Sequence, residues 1–438
     1  MDRIYIGLIG MGTVGTGLVK ILQENGKLLE KRLGMPVILK RIADVDVSRD
    51  RGVKVNPALF TPRASDVIED PEISVVLELI GGLEPARTFI LQALQRGKHV
   101  ITANKALLAV HGSEIFAAAD QAGVDIGFEG SVGGGIPIIR SMKEGLVANQ
   151  IQVIFGILNG TSNYILSEMT QKGLDFKDVL KKAQELGYAE ADPTLDVEGI
   201  DTAHKLCILL SLAYGVQVKM EDIYTEGVTG ITSMDIEYAK DLGYRIKLLA
   251  IAKSEGGPIE ARVHPTLIPE DHLLATVNGP FNAIFVKGDA VGSTLFYGAG
   301  AGMMATGSAV VSDLVEICRN LRLGVSRRVP LLSYQRAHLR DAEIKSIQDI
   351  SSTYYLRFTV IDRPGVLSRI SGILADLDIS IESVIQKGRK TDKGVFIYML
   401  THEARERNMT KALEVIDRLP VIMDKTVLIR IEDPTRLG

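Results

Sequence analysis

The sequence has little of several features that mark particular classes of protein. Only two cysteines occur in 438 residues, Cys207 and Cys318, and neither lies in a C-x-x-C or metal-type pattern, which excludes a disulfide framework and a cysteine zinc site. No apolar run reaches the ~20 residues of a membrane-spanning helix. The N-terminus lacks a basic segment followed by a long apolar stretch and a cleavage site. We therefore expect a soluble cytoplasmic protein.

The chain also lacks an excess of either charge. It carries 50 Lys and Arg against 54 Asp and Glu, for a formal charge of -4. This balance gives no bulk cationic field for phosphate backbones or anionic lipid, so nucleic acid and membrane surfaces are not expected as partners, whereas small substrates remain open. With 46% hydrophobic residues the composition is globular, and the length predicts two to four domains.

The first 130 residues alternate short apolar runs with helical patterns, which is typical of βαβ units and predicts a parallel sheet. The strand at residues 74–77 lacks alternation and is apolar on both faces, as in sheets covered on each side. The predicted fold class is α/β. Its domains are a Rossmann-type dinucleotide-binding domain at 1–130, with a helical stretch at 303–325 packing back on it, and an α+β substrate and dimerisation domain at 131–302.

The C-terminal part has a different texture. A polar, Arg-rich segment at 323–353 is predicted to be a linker, and a compact module follows at 354–438. Its pattern is strand, helix, a hairpin across a polar glycine-containing loop, helix and strand. This βαββαβ order predicts a ferredoxin-like domain.

A glycine-rich motif follows the first predicted strand. Gly10-Met11-Gly12-Thr13-Val14-Gly15 fits G-x-G-x-x-G and leads directly into a helical pattern, the context in which this motif binds a dinucleotide pyrophosphate. Asp44 is the acidic candidate for the ribose hydroxyls. Arg41, Arg49, Arg51 and Lys54 are candidates for a 2′-phosphate or merely a solvated face, so NAD and NADP both stay open. Gly302, at the end of GAGAG, is a further candidate for cofactor contact.

Two lysines are candidates for the proton transfer that accompanies hydride transfer. Lys105 follows a strand of the predicted parallel sheet, at the edge where ligands bind in such sheets. Lys205 lies four residues after Asp201 in a helical pattern, so their side chains share one face. An exposed ion pair is the plain alternative, but the apolar run that follows predicts a buried helix. The nearby carboxylates, Glu190, Asp192, Asp196 and Glu198, suit a cationic group such as an α-ammonium.

These residues carry a resemblance that covers essentially the whole chain. Together with GLIGMGTVG, the segments ITANKALLA, GFEGSVGGGIPII, ILNGTSNYIL and GYAEADPTLDVEGIDTAHKL resemble homoserine dehydrogenase of the long form with a C-terminal ACT domain. The resemblance implies reversible NAD(P)-dependent interconversion of L-aspartate 4-semialdehyde and L-homoserine, in the route to threonine, methionine and isoleucine. It also implies a homodimer or homotetramer.

The resemblance further implies roles for individual residues. Lys205 would transfer the proton, Lys105 would contact cofactor and substrate and share in that transfer, and Glu190, Asp196 and Asp201 would hold the substrate. A sodium ion would be bound by Glu129, Val132, Gly134 and Ile136. The ACT domain would pair across subunits and bind an amino acid, with threonine the expected effector, near Asp362, Gly365 and Asp378. Many family members have Asn where this chain has Asp378, which leaves the ligand open.

Three alternatives remain at this point. A phosphorylating aldehyde dehydrogenase would need an activated cysteine, and Cys207 lies in an apolar helical run. Phosphoglycerate dehydrogenase also joins a nucleotide domain to an ACT module, but it would place the fingerprint in mid-chain. A non-catalytic sensor of dinucleotide and amino acid is the alternative from another class.

Overall fold

A computed structural model describes residues 2–386 and 394–433, which form two compact units. The first unit comprises Met1–Gly160, Asp201–Glu221 and Phe281–Ala342, and the second comprises Thr161–Ile200, Asp222–Pro280 and Glu343–Gly438. Each unit is therefore assembled from three separate stretches of chain. The loop of the predicted C-terminal hairpin lies outside the described residues.

The first unit contains a six-stranded parallel sheet. In spatial order its strands are Phe60–Thr61, Val37–Ala43, Ile4–Ile9, Ile73–Glu78, His99–Thr102 and Ile126–Gly127. This is the doubly wound order that places the glycine-rich turn at the carboxyl end of the first strand. The connecting helices are Thr13–Leu33, Ser65–Ile68, Ala86–Gln95 and Lys105–Ala122. Strand Ile73–Glu78 is almost wholly buried, as its unbroken apolar run predicts.

Helix Met303–Arg322 packs against the helix that follows the glycine-rich motif. A Cβ on Gly17 would collide with the carbonyl oxygen of Met303, so the two backbones touch at this point. Val310, Leu314 and Ile317 enter the same hydrophobic core as the strands of the parallel sheet. The dinucleotide-binding part of the chain is thus completed by a late segment.

The rest of the first unit surrounds this sheet. Strands Ile151–Ile157, Phe281–Gly288 and Gly292–Ala299 form an antiparallel set, and Val216–Gln217 pairs with Arg340–Asp341. Helical segments Ile138–Arg140, Ser141–Gly145 and Ile200–Tyr214 complete it. Part of the predicted linker is therefore ordered chain, and the predicted domain boundaries stay predictions.

The second unit combines helices with a long antiparallel pair and the C-terminal module. Tyr244–Lys253 pairs with Glu260–Pro269 over ten residues, and Tyr224–Thr225 adds to the outer part of the latter strand. The helices that precede this pair are Gly160–Lys172, Phe176–Glu185, Thr194–Val197 and Ser233–Asp241. A capping box between Thr232 and Asp235 begins the last of these.

The C-terminal module has the predicted βαββαβ order. Its sheet runs Ile422–Ile431, Ser351–Val360, Val395–Thr401, Ile381–Gln386, with Ala404–Arg405 paired to the start of the second of these strands. Helices Val366–Asp376 and Glu406–Ile416 cover one face. Strand Ile422–Ile431 also pairs in parallel with Glu260–Pro269, which joins the module to the rest of its unit.

The predicted mixed α/β class, with a Rossmann-type domain and a C-terminal ferredoxin-like module, is confirmed. Among the described residues, no helix combines the length and apolar character needed to cross a bilayer.

Candidate active site

The glycine-rich turn has the geometry that a pyrophosphate requires. Gly10 has φ +93°, and a Cβ there would lie 2.8 Å from the carbonyl carbon of Leu79, so glycine is required for both conformation and space. A Cβ on Gly12 would meet nothing within 4 Å, which leaves room for a ligand. Thr13 and Val14 open the 21-residue helix, whose N-terminal amides point out of this turn.

The carboxylate of Asp44 is engaged by the protein itself. Its Oδ2 accepts a hydrogen bond of 2.7 Å from the backbone N–H of Met11, and its Oδ1 lies 3.2 Å from Nη2 of Arg51. Arg51 also donates from Nε to the carbonyl oxygen of Met11 at 2.8 Å. Asp44 and Arg51 thus both bind the backbone of Met11 in the glycine-rich turn, one through its N–H and the other through its carbonyl oxygen. Arg41 lies in strand Val37–Ala43, which ends directly before Asp44, and it pairs with Gly7 of the first strand.

Gly302 is placed at the start of the late helix that packs on the dinucleotide-binding part. It has φ +124° and precedes Met303, whose backbone lies against Gly17. Two helix N-termini, those that begin at Thr13 and Met303, therefore belong to one compact unit. The assignment of Gly302 to cofactor binding stays a prediction.

Lys105, Asp201 and Lys205 come together in the first unit. Nζ of Lys205 donates to Oδ2 of Asp201 at 2.7 Å, and Nζ of Lys105 lies 3.2 Å from Oδ1 of the same carboxylate. Lys105 begins its helix directly after Asn104, whose side chain caps that helix. The two predicted amines, a hundred residues apart in sequence, thus share one carboxylate.

The two lysines differ in their exposure to solvent. The side chain of Lys205 is 9% exposed and that of Asp201 is 8% exposed, whereas that of Lys105 is 43% exposed. Burial alone would raise the pKa of Asp201, but the ammonium groups of Lys205 and Lys105 lower it well below its usual range. The carboxylate stays ionised, and the three side chains together carry one net positive charge.

Two residues at this cluster were not identified from the sequence. The carbonyl oxygen of Leu158 accepts a 2.6 Å hydrogen bond from Nζ of Lys205, and the amide nitrogen of Asn159 donates to Oδ2 of Asp201 at 2.8 Å. Both lie between strand Ile151–Ile157 and the helix that begins at Gly160. The signal was present in the ILNGTSNYIL segment, where a polar residue directly follows a buried strand, but an asparagine before a glycine also suits an ordinary turn.

The other predicted substrate residues lie in the second unit. Glu190 is exposed on the segment between helices Phe176–Glu185 and Thr194–Val197, where its carbonyl oxygen accepts from the side chain of Gln184. Asp196 lies in the short helix, and its carbonyl oxygen accepts from Oγ of Ser162 at 2.9 Å. Their role toward the substrate stays a prediction.

The carboxylate of Glu129 is held by the backbone. Its two oxygens accept hydrogen bonds from the backbone N–H groups of Ile139 and Arg140, at 2.8 and 2.9 Å, and its own N–H donates to Asp313. Burial and the charge of Asp313 raise the pKa of Glu129 to about 7. Within the described part of the chain, no three His, Cys, Asp or Glu side chains are grouped to hold a metal. The role of Glu129 as a sodium ligand therefore stays a prediction.

The remaining predicted sodium ligands are backbone positions on the adjoining turn. Val132 is buried, and Gly134 adopts φ +51°, with no space for a Cβ because the carbonyl of Gly300 lies against it. The carbonyl oxygen of Ile136 accepts from the N–H of Ile138 at 2.8 Å. This turn therefore has a structural role of its own, and the role of these positions as sodium ligands stays a prediction.

The predicted regulatory residues flank one helix of the C-terminal module. Asp362 and Gly365 precede helix Val366–Asp376, and Asp378 follows it in the left-handed conformation, with φ +56°. Asn and Asp tolerate this conformation better than most residues. The presence of Asp in place of Asn is therefore compatible with the backbone at this position.

Cys207 does not have the environment of a nucleophile. It is buried in helix Ile200–Tyr214, and burial raises the pKa of its thiol to about 12. Its Sγ contacts the carbonyl oxygens of Ala109 and Val218. Cys207 therefore does not act as the activated thiolate that a phosphorylating aldehyde dehydrogenase needs.

Comparison with known proteins agrees with these observations. Residues 10–129 match the family model described as homoserine dehydrogenase, NAD binding domain, residues 137–315 match that of homoserine dehydrogenase, and residues 354–421 match the ACT domain. A homoserine dehydrogenase of Pseudomonas aeruginosa is 47% identical over 436 residues, with 99% of each chain covered. That of Bacillus subtilis is 42% identical over 435 residues, again with 99% of each chain covered.

Solved structures give the same result. The crystal structure of a homoserine dehydrogenase from Thiobacillus denitrificans superposes with a TM-score of 0.93 at 50% identity, and 99% of each chain is covered. A hyperthermophilic archaeal homoserine dehydrogenase in complex with NADPH shares the fold, with a TM-score of 0.61 at 24% identity over 72% of this chain and 97% of that chain.

The prediction of an NAD(P)-binding oxidoreductase that acts on a CH–OH group is thus confirmed, and the non-catalytic sensor and phosphoglycerate dehydrogenase are not supported. The chain belongs to the homoserine dehydrogenase family, in the form that carries a C-terminal ACT domain.

Proposed function

We propose that Lys205 is the proton-transfer residue of this dehydrogenase and that Lys105 assists it. The observation that carries the proposal is the carboxylate of Asp201, which binds Nζ of Lys205 through one oxygen and faces Nζ of Lys105 with the other. The ammonium of the buried lysine donates to Asp201 and to the carbonyl of Leu158, and these hydrogen bonds hold it in one direction. The more exposed Lys105 suits contact with a substrate that enters from solvent.

The chemistry follows from this arrangement. A bound nicotinamide supplies the hydride that reduces the aldehyde carbon of L-aspartate 4-semialdehyde. Lys205 gives a proton to the developing alkoxide and becomes a neutral amine, and in homoserine oxidation the same amine takes the proton back. The net positive charge of the cluster is in place before reaction, so it stabilises the alkoxide without reorganisation. Asp201 stays ionised throughout.

Glu190 and Asp196 are proposed to hold the α-ammonium of the substrate, and Asp201 is likewise proposed as a substrate residue. Carboxylates in excess over cations on the segment from Glu190 to Glu198 support this role. Glu190 is exposed, so it is available to a ligand. Glu190→Gln should raise KM for homoserine by about tenfold, the order expected for one charge-assisted hydrogen bond, with little change in Kd for NADPH.

For the cofactor, we propose that the turn from Gly10 to Gly15 and the helix N-terminus at Thr13 hold the pyrophosphate. Arg51 supports acceptance of NADP as well as NAD, because its guanidinium lies beside the acidic residue that would otherwise repel a 2′-phosphate. Arg41 is the second candidate for that phosphate, and Gly302 for the contact from the neighbouring helix.

We propose that an amino acid, threonine in the first instance, binds the ACT module between two copies of the chain. Gly365 and Asp378 lie at opposite ends of an 11-residue helix, which is about 16 Å long. One amino acid cannot span that length, so a site that uses both ends needs two modules side by side. Threonine should then raise the melting temperature and stabilise the oligomer, and Asp378→Ala should abolish both effects.

The central test is substitution of the two lysines. Lys205→Ala should lower kcat by about 10²- to 10⁴-fold, the usual contribution of a general acid or base, while Kd for NADPH measured by fluorescence stays near that of the wild type. Lys105→Ala should lower kcat less and raise KM more. Near-normal kcat in Lys205→Ala would remove Lys205 from the mechanism. Comparing kcat and KM in Na⁺ and in K⁺ tests the predicted sodium ion, and cell fractionation tests the predicted cytoplasmic location.

A further inference from the structure

We infer that Asn159 is a positioning residue for proton transfer, because its amide fixes the orientation of the Asp201 carboxylate between the two lysines. The inference rests on the proposed roles of Lys205 and Lys105. Asn159 is buried and directly follows strand Ile151–Ile157. Its Nδ2 donates to Oδ2 of Asp201 at 2.8 Å, the same oxygen that accepts from Lys205 at 2.7 Å.

Asn159 orients the carboxylate of Asp201 because the hydrogen bonds are divided between its two oxygens. A carboxylate oxygen offers two in-plane lone pairs. On Oδ2 of Asp201 these are used by Lys205 and Asn159, so rotation of the carboxylate would break two hydrogen bonds at once. The other oxygen, Oδ1, is thereby kept toward Lys105 at 3.2 Å. Each lysine has its own oxygen, and neither can take both.

The neighbouring peptide strengthens the argument. The carbonyl oxygen of Leu158 accepts from Nζ of Lys205 at 2.6 Å, one residue before Asn159. The two residues between the strand and the next helix therefore bind both charges: the carbonyl of Leu158 binds the ammonium, and the side-chain amide of Asn159 binds the carboxylate. It fixes the distance between the two charges from outside the helix that carries both.

An asparagine is suited to this position because it donates without adding charge. Two lysines and one aspartate leave one positive charge beside the alkoxide. An aspartate at position 159 has the same shape, but when ionised it cancels that charge and repels Asp201. When protonated, it can again donate a hydrogen bond. Asn159→Asp therefore has a signature in pH that a loss of packing does not have.

The experiment measures kcat for semialdehyde reduction by NADPH from pH 6 to 9 in wild type, Asn159→Asp and Asn159→Ala. The ratio of kcat in Asn159→Asp to that of wild type should rise by about tenfold for each unit by which pH falls, since each pH unit changes the protonated fraction of a carboxyl above its pKa tenfold. Asn159→Ala should lose about tenfold in kcat at every pH, with unchanged Kd for NADPH. A ratio for Asn159→Asp that is independent of pH would overturn the inference.

Asn163 offers a matched control in the same sequence segment. It is buried, and its Nδ2 donates to the carbonyl oxygens of Val277 and Gly279. Asn163→Asp should lower the melting temperature, but kcat per folded enzyme should keep a constant ratio to wild type across pH.

The outcomes separate the inference from the proposed site. If Asn159→Asp does not fold, Asn159→Ala provides the test. A lower kcat with unchanged Kd for NADPH supports the inference, and a wild-type kcat overturns it. Lys205→Ala is assayed in parallel. An inactive Lys205→Ala beside fully active Asn159 variants would refute only the positioning role, whereas an active Lys205→Ala would refute the site itself.

Discussion

The buried carboxyl of Asp313 should make the enzyme less stable as pH rises. Burial raises its pKa from an ordinary 3.8 to about 6. At 1.36 kcal/mol per pH unit, ionising this group in the folded protein costs about 3 kcal/mol. Because its folded pKa is the higher one, its contribution to stability is complete below pH 3.8 and is lost as pH rises through 6. Roughly 1 to 2 kcal/mol of this stability is lost between pH 5 and pH 8.

The perturbation is Asp313→Asn, which keeps an acceptor for the N–H of Glu129 and removes the charge. Relative to wild type, the variant should gain roughly 1 to 2 kcal/mol in free energy of unfolding between pH 5 and pH 8. It should gain somewhat more because the charge of Asp313 also raises the pKa of Glu129. Urea unfolding followed by circular dichroism at both pH values measures the difference. A gain that does not change with pH would refute the reasoning.

Three further predictions follow from contacts in the first unit. Gly17→Ala should lower the free energy of unfolding by about 1–3 kcal/mol, because the new methyl group meets the carbonyl of Met303; unchanged thermal unfolding would contradict the close approach. Arg51→Gln should raise Kd for NADPH about tenfold and Kd for NADH less, as measured by fluorescence titration; an equal change would show that Arg51 only holds the turn. Cys207→Ala should keep kcat within about twofold of wild type, and thiol reagents should inactivate the variant and the wild type to the same extent. A large loss of kcat would show that the thiol takes part in the reaction.

Local patterns predicted most of the architecture. The apolar run at Ile73–Glu78 and the glycine motif after Ile4–Ile9 each reflect one element and its immediate neighbours, so sequence alone is sufficient. The parallel pairing of Ile422–Ile431 with Glu260–Pro269 was not predicted. The sequence of neither strand indicates its distant partner, because the hydrophobic pattern of each strand is compatible with pairing to any other apolar strand.

The candidate site divides in the same way. Lys205 and Asp201 lie four residues apart on one helix, so their pairing follows from helical geometry. Lys105 and Asn159 reach the same carboxylate from other elements, and only the tertiary fold reveals that. Asp44 was predicted from its place after a strand to bind the ribose hydroxyls, but the sequence does not show that its carboxylate also contacts the backbone of Met11 and the guanidinium of Arg51.

The late helix Met303–Arg322 has a consequence for how the protein is made. Ile6 and Leu18 leave the ribosome early, but Val310 and Leu314, which share their core, are translated far later. A nascent chain that ends before residue 303 displays an uncovered hydrophobic face. Chaperones and proteases act on such surfaces, so the dinucleotide-binding part acquires protection only when synthesis has passed through most of the coding sequence.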